Sequence, residues 1–373
     1  VLLAVREMRR AKGRFGLLTG AVGILVFLVV FQQALLDGLV TEFVGAIRNQ
    51  SADVLVYGSD ARLNLQGSVV GAGAQAQVAA VDGVAAAGPL GVATVTVRAG
   101  GDLRDATLIG HVVGGPGQPA RLAAGRRPAA DGEAVANVGD DDQGFGIGQR
   151  VIVQPGGTTI EIVGTARELA FSVTPTLFTS YATYEAARIS TNPDARGVLP
   201  SAIAVTVDDG ATAAEVARRI NDQVKDVEAA DRARAAEEAP GVASVSQSFG
   251  VILLLAYVVA VIVIGFFFLI LTVQKRATLT LLRAVGVPAS RLVGALAAQV
   301  AAVLAGGIAV GTALAALALA SPGSGIDARV EPAALATTTV ALFVLAALGC
   351  AAAASRIVRL DPAAATLPGA GTR

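Results

Sequence analysis

Four windows of this chain are long, apolar and free of charged side chains, and they limit what it can fold into more than any other feature. They cover residues 15–36, 249–273, 292–320 and 332–354. At a rise of 1.5 Å per residue, about 20 residues in a helix cross a hydrocarbon core of about 30 Å. Each window is long enough. A helix buried in a soluble core rarely runs so far without a charge, so all four read as membrane spans. The first is preceded by Arg6, Arg9, Arg10, Lys12 and Arg14, the beginning of a signal-peptide pattern. The apolar run is too long for such a peptide and no small-residue cleavage site follows, so the expectation is a retained anchor.

Charge fixes the expected orientation. Net charge is zero, with 29 basic and 29 acidic residues, but the balance is uneven along the chain. The pieces 1–14, 274–291 and 355–373 carry 12 basic residues against 2 acidic, whereas 37–248 carries 16 against 25. Short basic segments stay in the cytoplasm. The fold class expected is therefore a membrane protein with four transmembrane helices, one before and three after a large extracytoplasmic α+β domain. Its parts are 1–36 (cytoplasmic entry helix and first span), 37–248 (outside domain), 249–354 (three spans) and 355–373 (cytoplasmic tail). Both termini lie in the cytoplasm and the protein in the cell membrane.

Within 37–248, helical spacing continues from the first span to about residue 50. Short β-type runs at 52–57, 91–97, 105–110, 150–154, 159–163 and 201–207 sit between glycine and proline punctuation. The runs at 151–153 and 159–163 flank Pro155-Gly156-Gly157 and predict a hairpin. A small helix is expected over 72–82, and a helix returning to the membrane over 211–236.

Little here suggests catalysis. One cysteine permits no intramolecular disulfide and no cysteine-based zinc site. His111 is the single histidine and reads as a surface residue; Asp140-Asp141-Asp142 reads as a solvated turn. Ser172, Ser180 and Ser190 have no histidine partner other than His111, and nothing places them together. There is no phosphate-binding loop. Arg126-Arg127 lacks neighbouring aromatic residues, so no nucleic-acid partner is expected. No cofactor or metal is assigned to this chain.

The loop after the second span carries a different kind of signal. It reads Gln274-Lys275-Arg276-Ala277-Thr278-Leu279-Thr280-Leu281-Leu282-Arg283-Ala284-Val285-Gly286-Val287-Pro288. Leu279, Leu282 and Val285 recur every third residue with Leu281 beside them, and Gly286 and Pro288 stop the helix. An amphipathic helix over about 275–285 is predicted, either an interfacial anchor or a docking element for a cytoplasmic partner.

This loop resembles the R-x-x-E-I-G-L-L-R-A-I-G segment of MacB/FtsX-type ABC transporter permeases. Arg359-Leu360-Asp361-Pro362-Ala363 resembles the family's ending after the last span, and Ala4 to Arg10 its entry helix. Gly125-Arg126-Arg127-Pro128, Gly132-Glu133 and Val163-Gly164 resemble its extracytoplasmic core domain. Thr278 stands where the family commonly has glutamate, and Gln274-Lys275 with no acidic residue resembles the haem-exporter-like and DevC-like branch. The resemblance implies a non-catalytic subunit that pairs with a second copy through the first two spans and binds a cytoplasmic ABC ATPase dimer holding ATP and Mg. The ATPase contacts would be Gln274, Lys275, Arg276, Leu279, Leu281, Leu282, Arg283, Val285 and Gly286. The implied activity is export or extraction of an amphipathic substrate such as haem, lipid or peptide. The alternative is an FtsX-like protein that regulates an extracellular cell-wall hydrolase.

The spans contain no charge to compensate a charged solute, so a sideways entrance from the outer leaflet is expected, in contact with membrane lipids. Gln32, Gln33, Leu36 and Phe43 would line one side, and Phe249, Leu253 and Tyr257 the other. Gly16-x-x-x-Gly20 and Gly307-x-x-x-Gly311 offer close helix contacts.

Overall fold

A computed structural model describes residues 12–192, 197–274 and 288–320, with residues 332, 335–341, 343–344 and 347 as further helical positions. Two compact units emerge: Gly38–Gln247, and the segments Val1–Asp37 and Ser248–Arg373 together.

The first unit is built on ten strands. They are β1 (Val54–Gly58), β2 (Val84–Ala99), β3 (Asp102–His111), β4 (Ala124–Gly125), β5 (Glu133–Asn137), β6 (Arg150–Gln154), β7 (Thr159–Ala166), β8 (Thr176–Ser180), β9 (Ala202–Val207) and β10 (Val227–Asp231). The strand order is β10-β1-β9-β2-β3-β8-β5-β7-β4, with β6 bridging β7 and β2. The ring β2-β3-β8-β5-β7-β6 thereby closes on itself. Closure removes the open edges that would otherwise template aggregation. Inward residues fill this barrel: Val95, Val97, Leu108, Ala134, Ala136, Phe145, Val151, Val153, Ile160, Ile162 and Leu177 are all buried. The alternation of β2, with 93, 95, 97 and 99 buried and 94, 96 and 98 exposed, is the period of two that a half-buried strand requires.

The other lobe uses the first half of β2. Residues 84–90 pair with β9, and from Gly91 onward the strand pairs with β3. β10, β1, β9 and this half of β2 form an antiparallel sheet covered by α2 (Ala74–Ala79) and α4 (Ala213–Gln223). Val54, Val56, Val78, Ile203, Val205, Val216 and Ile220 make its core. Thr212 and Glu215 form a reciprocal capping box that starts α4. α3 (Tyr181–Thr191), capped by Ser180, lays Tyr184 over Gly91 and Gly110, which face each other in register. A side chain at either glycine would collide with the Tyr184 ring.

The hairpin expected around Pro155 is β6–β7, paired Arg150 to Glu161 and Val151 to Ile160. The helix expected over 211–236 is instead α4, β10 and α5 (Arg232–Glu237). Asp226 takes a left-handed φ of 60°, and Val227–Asp231 then pairs along the otherwise open edge of β1. Asp231 caps the short α5 by accepting from Arg234 N–H. Strand pairing has overridden local helical spacing. β5, β8 and α3 were not anticipated.

The second unit contains the apolar helices. Three described helices are long and apolar enough to cross a membrane: Phe15–Arg48, Val242–Val263 and Ala298–Leu319. They belong to α1 (Lys12–Arg48), α6 (Val242–Gln274) and α7 (Ala289–Leu319). The residues of α1 after Asp37 belong to the β-rich unit. α6 is apolar on every side, with only 6% of its span buried, the pattern of a helix whose solvent is hydrocarbon. Of the 23 residues of the fourth window, 332–354, 11 are described and the rest lie outside the described residues.

Candidate functional site

Within the helical unit, three polar side chains from three segments meet. Thr338 Oγ1 donates to Gln33 Oε1 at 2.9 Å, Gln33 Nε2 donates to Tyr257 Oη at 3.5 Å, and Tyr257 Oη lies 3.3 Å from Thr338 Oγ1. From the adjacent position, Gln32 Nε2 donates to the Phe249 carbonyl at 3.3 Å. Helices in lipid have no hydrophobic drive to associate, so interhelical hydrogen bonds and close packing hold them together. This network ties α1 to α6 and to the helical stretch 335–341.

Of the residues expected to line a substrate entrance, Gln32, Gln33, Phe249 and Tyr257 are thus brought together, with both carboxamides engaged by neighbouring helices. Leu36 and Leu253 are half-buried in the same unit; Phe43 belongs to the β-rich unit, where its ring borders Gly241. Thr338 escaped the sequence reading because nothing local marks it: it lies 305 residues from Gln33. Gln274 is the last residue of α6, and Lys275, Arg276, Leu279, Leu281, Leu282, Arg283, Val285 and Gly286 lie outside the described residues.

The two glycine pairs differ. A Cβ at Gly311 would fall 2.6 Å from the Gly23 carbonyl oxygen and 2.8 Å from Phe27 N, and one at Gly307 would fall 2.5 Å from Val22 Cγ1. α1 and α7 approach through these positions. Gly16 and Gly20 have open space where a Cβ would point. Gly23, the residue that meets the α7 pair, lies one turn beyond the motif read from the sequence.

The titratable residues of the β-rich unit serve its fold. His111 is buried, not at the surface: its Nδ1 lies 3.0 Å from the Val112 carbonyl, and burial lowers its pKa. It is paired in register with Ser180, but the Ser180 hydroxyl donates to Asp131 and caps α3. Ser190 donates to the Ala187 carbonyl. No nucleophile–base pair forms among these residues, and no group of three or more His, Cys, Asp or Glu among the described residues is arranged to hold a metal.

Asp140 is buried, unlike the exposed Asp141 and Asp142 of the same turn. Burial pushes its carboxyl up to about 6, partly offset by the Asn137 side chain and the Thr176 amide. Arg126 makes a bidentate ion pair with Glu133, whose carboxylate also accepts from the Ala129 and Ala130 amides. These contacts hold Glu133 down at about 2. Arg127 donates to the Pro119 and Ala120 carbonyls. The basic pair is therefore committed to internal contacts.

Comparison with known proteins places this architecture in a family. Residues 15–223 match the MacB-like periplasmic core domain, more than half of the chain, and residues 250–362 match the FtsX-like permease C-terminal domain. The chain belongs to the MacB/FtsX-type ABC transporter permeases. This permease is 24% identical to an uncharacterized ABC transporter permease of Mycobacterium tuberculosis over 364 residues, covering 97% of this chain and 98% of that one. A second uncharacterized permease of that organism is 24% identical over 304 residues, 79% of each chain. Among solved structures, the periplasmic region of MacB from Actinobacillus actinomycetemcomitans aligns at 13% identity and a TM-score of 0.34, covering 50% of this permease and 92% of that chain. The extracellular domain of the noncanonic ABC-type transporter YknZ from Gram-positive bacteria aligns at 15% and 0.31, covering 48% and 100%.

Proposed function

We propose that this permease is the non-catalytic membrane subunit of an exporter, coupling ATP hydrolysis in a separate ATPase to extraction or export of an amphipathic substrate. The observation that carries the reading is the order of the two family matches along one chain, core domain first and permease domain second. The uneven distribution of charge supports an orientation with residues 38–247 outside and the basic loop 274–291 inside.

In this reading the segment 275–285 docks on the ATPase, which binds ATP and Mg, and two copies of the permease assemble on an ATPase dimer. ATP binding draws the ATPase dimer together and displaces the docked segments. α1, a single helix from Lys12 to Arg48, carries that displacement toward the outside domain as a hinge or shear motion. The substrate enters sideways from the outer leaflet and no charge crosses the spans, consistent with their lack of charged side chains. Gln32 and Gln33 are the polar residues proposed to meet its headgroup, exchanging their interhelical partners for the substrate.

Leu282→Asp tests the docking. A charge placed in an apolar contact and left unpaired costs several kcal/mol. The variant is expected to insert normally and to lose co-purification with the ATPase; retained co-purification would remove 275–285 from the interface. Impermeant thiol labelling of intact cells tests orientation: a cysteine at Asp141 reacts and one at Ala277 does not.

A further inference from the structure

The loop between β7 and β8 lies along the last turns of α1 and bonds to its main chain. Ala46 N–H donates to the Ala170 carbonyl at 3.0 Å, Ser172 N–H to the Phe43 carbonyl at 3.1 Å and Val173 N–H to the Glu42 carbonyl at 3.0 Å. Asn49 Nδ2 donates to the Glu168 carbonyl at 2.8 Å. Contact this close needs a missing side chain, and Gly45 supplies it: a Cβ there would sit 2.5 Å from the Glu168 oxygen.

The loop adopts an unfavourable backbone to reach the helix. Glu168, Ser172 and Val173 have φ of 56°, 54° and 57°. Left-handed geometry is uncommon outside glycine and is a genuine outlier for a β-branched residue such as valine. The Val173 side chain is exposed, so its own packing does not demand the conformation. Two consecutive left-handed residues turn successive N–H groups to the same side, here toward the Phe43 and Glu42 carbonyls. Strain of this kind persists only where surrounding contacts over-determine it.

The other end of the loop is rooted in the barrel. Leu169 N–H donates to Asn137 Oδ1 at the end of β5, and Phe171 N–H to Thr176 Oγ1 at the start of β8. Thr174 Oγ1 lies 2.7 Å from Thr107 Oγ1 on β3. α1 also continues directly through 49–53 into β1, in the other lobe. The helix end is therefore joined to one lobe by the chain and to the other by hydrogen bonds.

We propose that residues 168–173 form a splint that fastens α1 to the barrel, so that displacement of α1 reaches both lobes together instead of β1 alone. The fastening stands on the contacts above; only the identity of what moves α1 rests on the exporter reading. Gly45 is the positioning residue of this joint.

Amide hydrogen exchange on the full chain in lipid nanodiscs tests it. In the wild type the amides of residues 172 and 173 are expected to exchange at least tenfold slower than in an unstructured chain. Gly45→Ala should abolish that protection while amides 95–97 of β2 stay protected. Asn49→Ala, which introduces no clash, should accelerate the same amides by a smaller factor, and Val173→Gly, which keeps the N–H and relieves the strain, should preserve their protection. Spin labels at Thr41 and Asp102 should give a narrow distance distribution that broadens in Gly45→Ala. Wild-type amides that exchange as freely as an unstructured chain, or a Gly45→Ala protein with unchanged protection and distance width, would overturn the splint. If no ATPase couples to the chain, the exporter reading falls, and the exchange and distance results still decide the splint.

Discussion

The barrel lobe and the helical unit place their apolar side chains in opposite directions. In the barrel, Leu108, Ile160, Ile162 and Leu177 have no exposed surface beyond a trace, while Thr96 and Asp105 face outward and bond to each other. In α6, Val251, Leu254 and Leu255 are each more than 60% exposed, and the polar Tyr257 turns inward to Gln33 and Thr338. One region is organised by expulsion from water. The other has no water to escape from and is held by small residues and buried hydrogen bonds. The same residue type therefore has a different value in each.

A matched pair of truncations is the sharpest way to break this comparison. Leu108→Ala should cost about 2–5 kcal/mol, from lost transfer energy and the cavity left behind. Leu254→Ala should change stability by less than about 0.5 kcal/mol, as expected away from packed sites. Denaturant or thermal unfolding of the full chain in nanodiscs, followed by a probe in each unit, measures both. Equal effects would mean that α6 is covered by protein and not by lipid.

Acidity comes next. The Asp140 carboxyl has a native pKa raised above its ordinary value of 3.8 to about 6. Between those values the folded state holds a proton that the unfolded state has released, so stability falls as pH rises through this window, by on the order of 2–3 kcal/mol. It is fully present below about 4 and fully lost above about 6. Asp140→Asn should flatten that part of the pH–stability curve and raise stability at pH 7. The Arg126–Glu133 pair works in the opposite sense: Glu133 is held low, and its contribution is lost as pH falls from about 4.5 toward 2.

In the helical unit, Gly311→Val should separate α1 from α7 at a cost of about 1–3 kcal/mol, typical of overpacking. Thermal unfolding in nanodiscs reports it, with Gly20→Val, where a side chain would meet open space, as the control expected to cost less. Gln33→Leu should have a small effect, about 0.6 kcal/mol and at most about 1.7 kcal/mol, because hydrogen bonds between helices in lipid are individually modest. A double-mutant cycle with Thr338→Val should show coupling between the two positions, and additive effects would deny the network.

What the sequence reveals follows the same division. Features carried by a local pattern are legible: the apolar spans, the β6–β7 hairpin and the continuation of α1 past the first span. Features made by partners distant along the chain are not. β5 has two alanines among its five residues and β8 three threonines or serines among five, so neither has a strong strand pattern, yet both are central to the barrel. Thr179 Oγ1 bonds to the Glu133 carbonyl, and Thr176 Oγ1 to that of Thr174, which makes these polar side chains tolerable inside. The helix expected over 211–236 fails because the vacant edge of β1 claims 227–231. Gln32 and Gln33 stand on one side of the expected entrance and Tyr257 on the other, but Thr338, the partner that Gln33 and Tyr257 share, carries no local mark. The contacts of 168–173 with the end of α1 are mostly made by main-chain groups, and only Gly45 and the Asn49 carboxamide leave a trace in the residue order.

The shared strand β2 has one more consequence. It serves two separate interiors, changing partner between Leu90 and Gly91, and its burial alternates strictly from 93 to 99. Adding or deleting a single residue there would reverse inside and outside for everything downstream: Arg98 would enter the barrel and Val97 would face solvent. A two-residue change would preserve the alternation and alter only the spacing of the lobes. A single-residue change at the junction would therefore need a bulge to restore the alternation, like the register shift already present at Val84–Ala86, whereas a change of two would not.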